Sequence, residues 1–330
     1  MPGPSVVIVS PALADANNGN WRTASRWVGM LAPAFRTRVV RQWPDGGQAQ
    51  DDAVMLALHA RRSAESIRNW AQAHPGRGLA VVLTGTDLYQ DLAFDASARH
   101  SLEVAQCLVV LQELGAQALP PPLQAKARVV VQSAPLRSPA DKPRDCLQAV
   151  MVGHLRAVKS PQTLFEVARR LRGREDIRID HVGEALEPAL GEQARATAAG
   201  CTGYRWLGAL AHEQALERIR QAHVLVHASV LEGGAHVIIE AVRCGTPVLA
   251  SRVPGNVGLL GAGYSGYFPA GDAGALAGLL ARCREGQAAA PGEGLLDRLA
   301  AQCAERSPRF DPAAERDALL RLLAELVPPA

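Results

Sequence analysis

The stretch from Ser229 to Ser251, SVLEGGAHVIIEAVRCGTPVLAS, places a glycine pair before a helical pattern and ends in a short apolar run. The pattern predicts a helix over 234–244 and a buried strand over 246–251. The first N–H groups of a helix have no internal partner, and the positive end of its dipole favours anions. Because Gly233 and Gly234 allow a ligand close to the backbone, this helix start is predicted to bind an anion such as a diphosphate.

Two glutamates lie on either side of the glycine pair. Glu232 comes directly before the glycines, and Glu240 follows eight positions later. At 1.5 Å per residue, this spacing corresponds to roughly 12 Å along a helix axis. Carboxylates accept hydrogen bonds from sugar hydroxyls, so the two side chains suit the two ends of a nucleotide sugar. Two glutamates at this spacing also occur by chance.

Short apolar runs alternate with amphipathic segments along the chain, which predicts parallel sheets covered on both faces by helices. The predicted strands are 5–10, 37–41, 53–58, 79–84, 107–111 and 128–132, then 147–153, 177–183, 204–208, 223–229 and 246–251. Between the two sets, residues 133–145 are rich in proline, serine and charge, as in a linker.

This alternation predicts an α/β protein with two doubly wound, Rossmann-like domains that face each other across an interdomain cleft. The expected domains are an acceptor-binding domain at 1–140 and a nucleotide-sugar-binding domain at 141–310. Residues 311–330 are expected to form a C-terminal helix that packs back toward the N-terminal domain. Such sheets bind ligands at the carboxyl ends of their strands.

The bulk composition excludes several classes of protein. The chain has 330 residues, 48% of them hydrophobic, and its net charge of +3 is not concentrated in a basic run. With 4% aromatic residues, it lacks the features of a nucleic-acid-binding protein. No apolar run reaches about 18 residues, so a membrane partner is not expected. The N-terminal residues lack a secretory signal pattern, and six cysteines without a C-x-x-C pair are expected to be free thiols of a cytoplasmic protein.

Three segments resemble a known family. The pattern S-x-x-E-G-G-x5-E-A-x-x-C-G-T-P-V-L-A-S at 229–251 is similar to the E-x7-E region of retaining glycosyltransferases with the GT-B fold. VGHLRAVKSP at 152–161 is similar to the G-R-L-x-x-x-K phosphate-binding segment of that family, with His154 in place of the usual arginine. The stretch 204–229 matches the strand–helix–strand that leads to the E-x7-E region.

The resemblance implies a role for each matching residue. Lys159 would pair with the donor diphosphate, and Arg156 or His154 would do the work of the missing arginine. His154 is alternatively a strand-end histidine with a backbone partner. The implied catalytic residues are Lys159, Glu232, Arg156 and His154, and the implied donor-binding residues are Gly19, Lys159, Trp206, Leu207, Gly233, Gly234, Ala235, His236, Val237 and Glu240. Glu240 would bind the ribose hydroxyls, Glu232 would face the transferred sugar, and the backbone near Trp206 would meet the base.

Polar and basic residues follow several strands of the first half and suggest an acceptor site for a small anion. The candidates are Asn18, Asn20, Arg22, Thr23, His59, Arg61, Arg62, Thr84, Thr86, Asp87 and Gln132. Arg61 and Arg62 are alternatively the solvated start of a helix, and Asp87 is alternatively a turn cap. His59 and Asp87 are the candidates for a general base if one is needed. The sequence has no D-x-D motif, so no metal is expected.

The segments NNGNWRTA, LHARRS, LTGTDLY and VGHLRxxK together resemble one branch of the family, the selenosugar synthases of selenoneine biosynthesis. This resemblance implies UDP-N-acetylglucosamine as donor, selenophosphate as acceptor, and a functional link to a selenophosphate-producing enzyme. It leaves the oligomeric state open. The alternatives are a GT-B glycosyltransferase with a hydroxyl acceptor and a sugar-nucleotide-binding protein without turnover.

Overall fold

The computed structural model describes residues 3–13, 19–32, 34–290 and 292–327, and the chain divides into two compact units. The first unit contains Met1–Gln132, Glu232–Gly234 and Pro312–Ala330, and the second contains Ser133–Leu231 and Ala235–Asp311. Each unit has its own parallel sheet of six strands.

The strands of the first unit are arranged in the order β2-β1-β3-β4-β5-β6. They are β1 (Ser5–Val9), β2 (Arg36–Val40), β3 (Asp52–Leu58), β4 (Leu79–Leu83), β5 (Cys107–Val110) and β6 (Ala127–Val129). The strand order changes direction at β1 and β3, and the carboxyl ends of the strands at such a point border a ligand-binding crevice.

Helices cover both faces of the first sheet. They are α1 (Gly19–Leu31), α2 (Ala64–Ala73), α3 (Thr86–Tyr89), α4 (Ala96–Val104) and, from the end of the chain, α12 (Pro312–Leu326). Alternate side chains of a strand point to opposite faces. Val6 and Ile8 of β1 therefore belong to the same apolar cluster as Trp27 of α1, while Val7 belongs to the cluster that contains Trp70 of α2.

A buried carboxylate attaches α12 to α1. Glu315 is 1% exposed and accepts hydrogen bonds from Arg26 Nε at 2.9 Å and Trp27 Nε1 at 2.7 Å. Leucines of α12 complete the apolar cluster on the same face of the sheet. The C-terminal helix thus contributes to the core of the first unit.

The strands of the second unit are arranged in the order β12-β11-β10-β7-β8-β9. They are β7 (Leu147–Val152), β8 (Ile177–Val182), β9 (Tyr204–Gly208), β10 (Val224–His227), β11 (Val248–Ser251) and β12 (Tyr267–Phe268). Its helices are α5 (Pro161–Arg170), α6 (Pro188–Gly200), α7 (His212–Gln221), α8 (His236–Arg243), α9 (Pro254–Leu260), α10 (Ala273–Gly286) and α11 (Leu295–Arg306). Here the strand order changes direction at β7 and β10.

The prediction of two doubly wound α/β domains is confirmed, and the differences concern the ends of elements. The helix predicted over 234–244 begins only at His236, with Ala235 as its N-cap. The strand predicted over 128–132 ends at Val129. The sequence analysis did not predict α9, α11 or β12. The segments α9 and β12 are too short to show clear periodicity, whereas α11 was missed although Leu295, Leu299 and Cys303 are buried at helical spacing.

Within the described parts of the chain, no helix combines the length and the apolar character needed to cross a lipid bilayer.

Candidate functional site

The predicted phosphate-binding segment follows β7 of the second unit. Its backbone is held in place by bonds from Leu155 N–H to the Glu184 carbonyl at 2.8 Å and from Ala157 N–H to Glu187 Oε1 at 2.8 Å. A short 3-10 turn over Ala157–Lys159 leads into Ser160, which adopts the left-handed conformation before α5. Lys159 is thereby placed beyond the carboxyl end of β7.

The ends of β7 and β8 approach each other so closely that a glycine is required. Gly183 has φ +153°, and a Cβ at this position would lie 2.0 Å from the Gly153 carbonyl oxygen. At Gly153 itself, a Cβ would lie 3.9 Å from Cγ and Cδ of Lys159. The aliphatic part of the Lys159 side chain therefore lies beside Gly153.

His154 has a backbone partner at the strand end. Its Nδ1 accepts a hydrogen bond from Glu184 N–H at 3.2 Å, which leaves Nε2 to carry the proton of the neutral ring. This contact agrees with the interpretation of His154 as a strand-end histidine that orders the segment. Arg156 is exposed in the same segment and can present a positive charge to an anion.

Trp206 and Leu207 lie in β9, next to β8. The indole Nε1 of Trp206 donates to the Gly183 carbonyl at 2.8 Å, and the Arg195 guanidinium lies 5.8 Å from the ring centroid. Trp206 therefore supports the turn after β8. The role of the backbone near Trp206 and Leu207 in binding a base stays a prediction.

Glu240 lies in α8 and is 7% exposed, with two histidines at one of its oxygens. His212 Nε2 lies 2.5 Å from Glu240 Oε1, and His236 Nδ1 lies 3.2 Å from the same atom. Burial by itself raises the pKa of the Glu240 carboxyl, but the hydrogen bonds and charges of His212 and His236 outweigh it and bring the pKa well below its ordinary value. Glu240 is therefore a carboxylate at neutral pH.

The glycine pair has a structural explanation that the sequence analysis did not anticipate. Glu232–Gly234 belongs to the first unit. A Cβ at Gly233 would lie 2.5 Å from the Thr84 carbonyl oxygen, and a Cβ at Gly234 would lie 2.7 Å from Leu111 Cβ. Both glycines precede α8, so their amides are not part of the helix start, contrary to the expectation for 234–244. Ala235 caps α8, and His236 and Val237 are its first two residues.

In the first unit, predicted acceptor residues meet beyond the carboxyl ends of β3 and β4. His59 Nε2 lies 3.1 Å from Thr86 Oγ1 and 3.9 Å from Asp91 Oδ2, and Arg61 Nε donates to the same Asp91 oxygen at 2.8 Å. His59 has φ 71°, which is uncommon for a residue with a side chain and occurs preferentially at functional sites. Burial lowers the pKa of His59, and the charge of Asp87 only partly opposes this effect.

Asp87 has the role of a turn cap. It is 0% exposed, and its Oδ1 accepts the N–H groups of Thr84 at 2.9 Å and Gly85 at 2.8 Å. Its Oδ2 accepts Ala60 N–H at 3.0 Å. These bonds bind the loop after β4 to the loop after β3 and occupy both carboxylate oxygens. This arrangement argues against Asp87 as a general base.

The remaining acceptor candidates lie at the start of α1 and after β6. Gln132 Nε2 donates to Thr23 Oγ1 at 2.6 Å, and Thr23 in turn donates to the Gly19 carbonyl at 2.9 Å. The bond between Gln132 and Thr23 joins residues that are 109 positions apart. Asn20 and Arg22 lie on the first turn of α1, at the carboxyl side of β1, and Arg62 is exposed before α2. Asn18 lies outside the described residues.

The sequence analysis missed His212, which begins α7 and contacts Glu240 from 28 positions away. A histidine at a helix start carries no sequence signal for such a contact, because the contact depends on how α7 packs beside α8. No group of three or more His, Cys, Asp or Glu side chains in the described ranges could hold a metal ion. The expectation of a metal-independent protein stays a prediction.

Comparisons with known proteins agree with this architecture. Residues 134–291 match the family model described as "Glycosyl transferases group 1". A sucrose-phosphate synthase from Thermosynechococcus elongatus is similar over 98% of this chain and 99% of its own, with 17% identity and a TM-score of 0.77. HepE from Anabaena, in complex with UDP and glucose, is similar over 98% of this chain and 100% of its own, with 16% identity and a TM-score of 0.71.

A more distant likeness is to a mutant of TarM from S. aureus, in complex with fondaparinux, α-GlcNAc-glycerol and UDP. It has 12% identity and a TM-score of 0.63 over 82% of this chain, which spans 55% of the length of that protein. At these identities the likeness to solved structures concerns the fold. Residues 134–291 are therefore similar to the glycosyl transferases group 1 family, and the chain shares the GT-B fold of the glycosyltransferases among these solved structures.

Proposed function

We propose that the protein is a glycosyltransferase that uses a UDP-sugar, and that its reaction is the transfer of N-acetylglucosamine from UDP-N-acetylglucosamine to selenophosphate. The observation that carries the donor part is Glu240, a buried carboxylate held as an anion within the residues that match the glycosyl transferases group 1 family. The solved structures of HepE and TarM, which have a similar fold, contain UDP.

The second unit would bind the donor. In this proposal, Lys159 and Arg156 place positive charge beside the diphosphate, and the amides of His236 and Val237 at the start of α8 bind its oxygens. Glu240 accepts a ribose hydroxyl. As the bond between C1 and the diphosphate oxygen breaks, UDP gains negative charge, so fixed cationic donors stabilise the transition state more than the bound substrate. Glu232 would meet the transferred sugar.

The acceptor part rests on the first unit. Asn20, Arg22, His59, Arg61 and Thr86 are polar or basic residues at the carboxyl side of its strands. Such a surface suits a small anion rather than a sugar chain or a lipid. We identify this anion as selenophosphate because three segments resemble the selenosugar synthases: NNGNWRTA, LHARRS and LTGTDLY.

The proposed acceptor needs no general base, which agrees with the role of Asp87 as a turn cap. A hydroxyl acceptor must lose a proton when it is glycosylated, but both candidate bases already have partners. The two oxygens of Asp87 accept backbone N–H groups, and the ring nitrogens of His59 contact Thr86 Oγ1 and the Arg62 N–H. Selenophosphate carries an anionic selenium and needs no base for its attack on C1. A C–Se bond forms, the bond from C1 to the UDP oxygen breaks, and UDP leaves with the electron pair. Water then cleaves the P–Se bond and releases phosphate from the 1-seleno sugar.

Mass spectrometry of the purified protein with UDP-N-acetylglucosamine, with and without selenophosphate, tests the proposal. We expect UDP release together with a product that shows the selenium isotope pattern, only when selenophosphate is present and also in the presence of a chelator. The Lys159→Ala variant should lose about 10²- to 10³-fold in turnover and keep the thermal unfolding temperature of the parent. UDP release with alcohols but not with selenophosphate would favour a hydroxyl-acceptor enzyme, and UDP binding without turnover would favour a binding protein.

A further inference from the structure

Three side chains form a chain of polar contacts around Glu240 in the second unit. Glu240 Oε1 lies 2.5 Å from His212 Nε2 and 3.2 Å from His236 Nδ1. The other ring nitrogen of His236, Nε2, lies 3.0 Å from the Ser133 carbonyl oxygen. The His236 ring is thus placed between two oxygens that can only accept hydrogen bonds, provided that Glu240 is ionised.

This arrangement restricts the protonation state of His236. A neutral imidazole has one N–H and one nitrogen lone pair. With the proton on Nε2, the lone pair of Nδ1 faces the Glu240 carboxylate, and with the proton on Nδ1, the lone pair of Nε2 faces the Ser133 carbonyl. Only the imidazolium form donates to both neighbours. His236 is 24% exposed at the side chain, so a proton can reach it from solvent.

The two oxygens of Glu240 have different surroundings. Both histidines contact Oε1, and two donors are the number that one carboxylate oxygen accepts well. Oε2 makes no hydrogen bond or ion pair with any residue in the described ranges. It is not fully buried, so it is accessible to solvent. Oε2 is therefore the oxygen that remains for a ligand.

Other charged groups around this cluster are engaged elsewhere. Glu213 lies 4.0 Å from His212 Nδ1 and forms a two-bond ion pair with Arg137, at 2.8 Å and 3.1 Å. Arg243, on α8, extends to the Ala134 carbonyl at 2.9 Å and to Asp311 at 3.1 Å. Burial raises the pKa of the Cys244 thiol to about 11, so it is neutral. The Glu240 carboxylate accordingly contacts the two imidazoles, at Oε1.

We propose that His236 is held as an imidazolium between the Ser133 carbonyl and Glu240, and that His236 and His212 are positioning residues that leave only Oε2 of Glu240 for one ribose hydroxyl of the donor. The identity of the ligand rests on the proposed function, whereas the protonation state of His236 does not. The two parts are tested by separate measurements.

NMR of the protein with 15N-labelled histidine rings measures the protonation state at pH 7.5. His236→Gln identifies the His236 signals by their loss. We expect both ring nitrogens of His236 to carry protons in the parent protein, and one of them to lose its proton in Glu240→Gln, where the partner is no longer an anion. A neutral His236 ring in the parent protein would overturn the assignment.

Calorimetry with UDP measures the positioning role. His212→Gln keeps a hydrogen-bond donor but cannot carry charge, and we expect it to weaken UDP binding about fivefold or more. Turnover at saturating donor should stay within about twofold of the parent, because a ribose contact is the same in the ground and transition states. His100→Gln, a substitution of an exposed histidine in the first unit, serves as the matched control.

Equal UDP affinities of the parent, His212→Gln and His100→Gln would refute the positioning role. If the parent protein binds no UDP at all, the proposed function fails together with the ligand part of this inference. The NMR experiment then still decides whether His236 is an imidazolium.

Discussion

His181 lies in the core of the second unit and shows how burial sets the charge state of a single residue. It is 0% exposed, its Nδ1 lies 2.9 Å from the Tyr204 hydroxyl, and Phe165 packs beside it. Burial lowers the pKa of His181 from 6.5 to about 4. The charged ring is disfavoured because the core replaces its hydration with apolar contacts.

This shift predicts a pH dependence of stability. Between pH 6.5 and pH 4, the unfolded chain binds a proton at His181 and the folded protein does not. The free energy of unfolding should therefore fall as the pH decreases through this window. The contribution of His181 to this decrease is up to roughly 3 kcal/mol, and it should be constant above pH 6.5 and below pH 4. Urea unfolding at several pH values measures the slope. His181→Gln should show a shallower slope than the parent, and equal slopes would contradict the prediction.

Asp87 and His154 show how far the sequence could predict the role of a single residue. Asp87 follows a buried strand and precedes a turn, so both a catalytic carboxylate and a turn cap were consistent with its position. Three N–H contacts from Thr84, Gly85 and Ala60 give it the structural role. His154 also has a backbone partner, the N–H of Glu184, which no local pattern reveals.

At the level of elements, the loop before α8 is determined by packing as well as by local preference. The sequence predicted that the glycine pair opens the helix, but the helix begins two residues later, at His236. The glycines instead lie where Cβ atoms would meet Thr84, Gly85 and Leu111. Residues without a Cβ are therefore required at 233 and 234 by the packing of the first unit, which includes Glu232–Gly234.

We expect Gly233→Ala to destabilise the protein by about 1–3 kcal/mol, because the new Cβ would lie 2.5 Å from a backbone oxygen that cannot move independently. Gly278→Ala is the matched control: Gly278 lies within α10, and a Cβ there would meet nothing within 4 Å. That variant should be more stable by about 0.5–1 kcal/mol, as expected for alanine in a helix. Urea unfolding of both variants provides the measurement, and equal midpoints would show that the loop can relax.

On the scale of the whole molecule, the first unit depends on the end of the chain. Glu315 of α12 accepts hydrogen bonds from Arg26 and Trp27, which are 289 and 288 positions away. The first 132 residues therefore do not contain all of the partners of their own buried side chains. Removal of the carboxylate takes away the acceptor of the Trp27 N–H and a negative charge that faces Arg26.

Glu315→Ala should lower the free energy of unfolding by about 3 kcal/mol, since it breaks a buried ion pair and leaves the partner charge in place. Glu325→Ala, on the same helix, removes an exposed pair with Arg128 and should cost no more than about 1 kcal/mol. Hydrogen exchange should speed up in α1 and α12 of the first variant. Similar losses of stability in both variants would contradict the assigned difference in burial.

Much of the fold could be predicted from the sequence, because hydrophobic periodicity is a local property. Continuous apolar runs gave most of the strands, and amphipathic segments gave most of the helices between them. Short elements such as β12 and α9 were missed, since a few residues carry too little periodicity. The carboxyl-end rule also predicted that His59, Thr86 and Asp87 would lie near each other.

The sequence by itself determined the alternation of strands and helices, the two sheets, and the pattern at 229–251 that resembles glycosyltransferases. Tertiary structure alone decided that His212 and His236 share one oxygen of Glu240 and that Asp87 is a cap. The physical reason is distance along the chain. Periodicity and helix dipoles act within a few residues, whereas hydrogen-bond partners of buried groups are chosen by packing between elements that can be hundreds of residues apart.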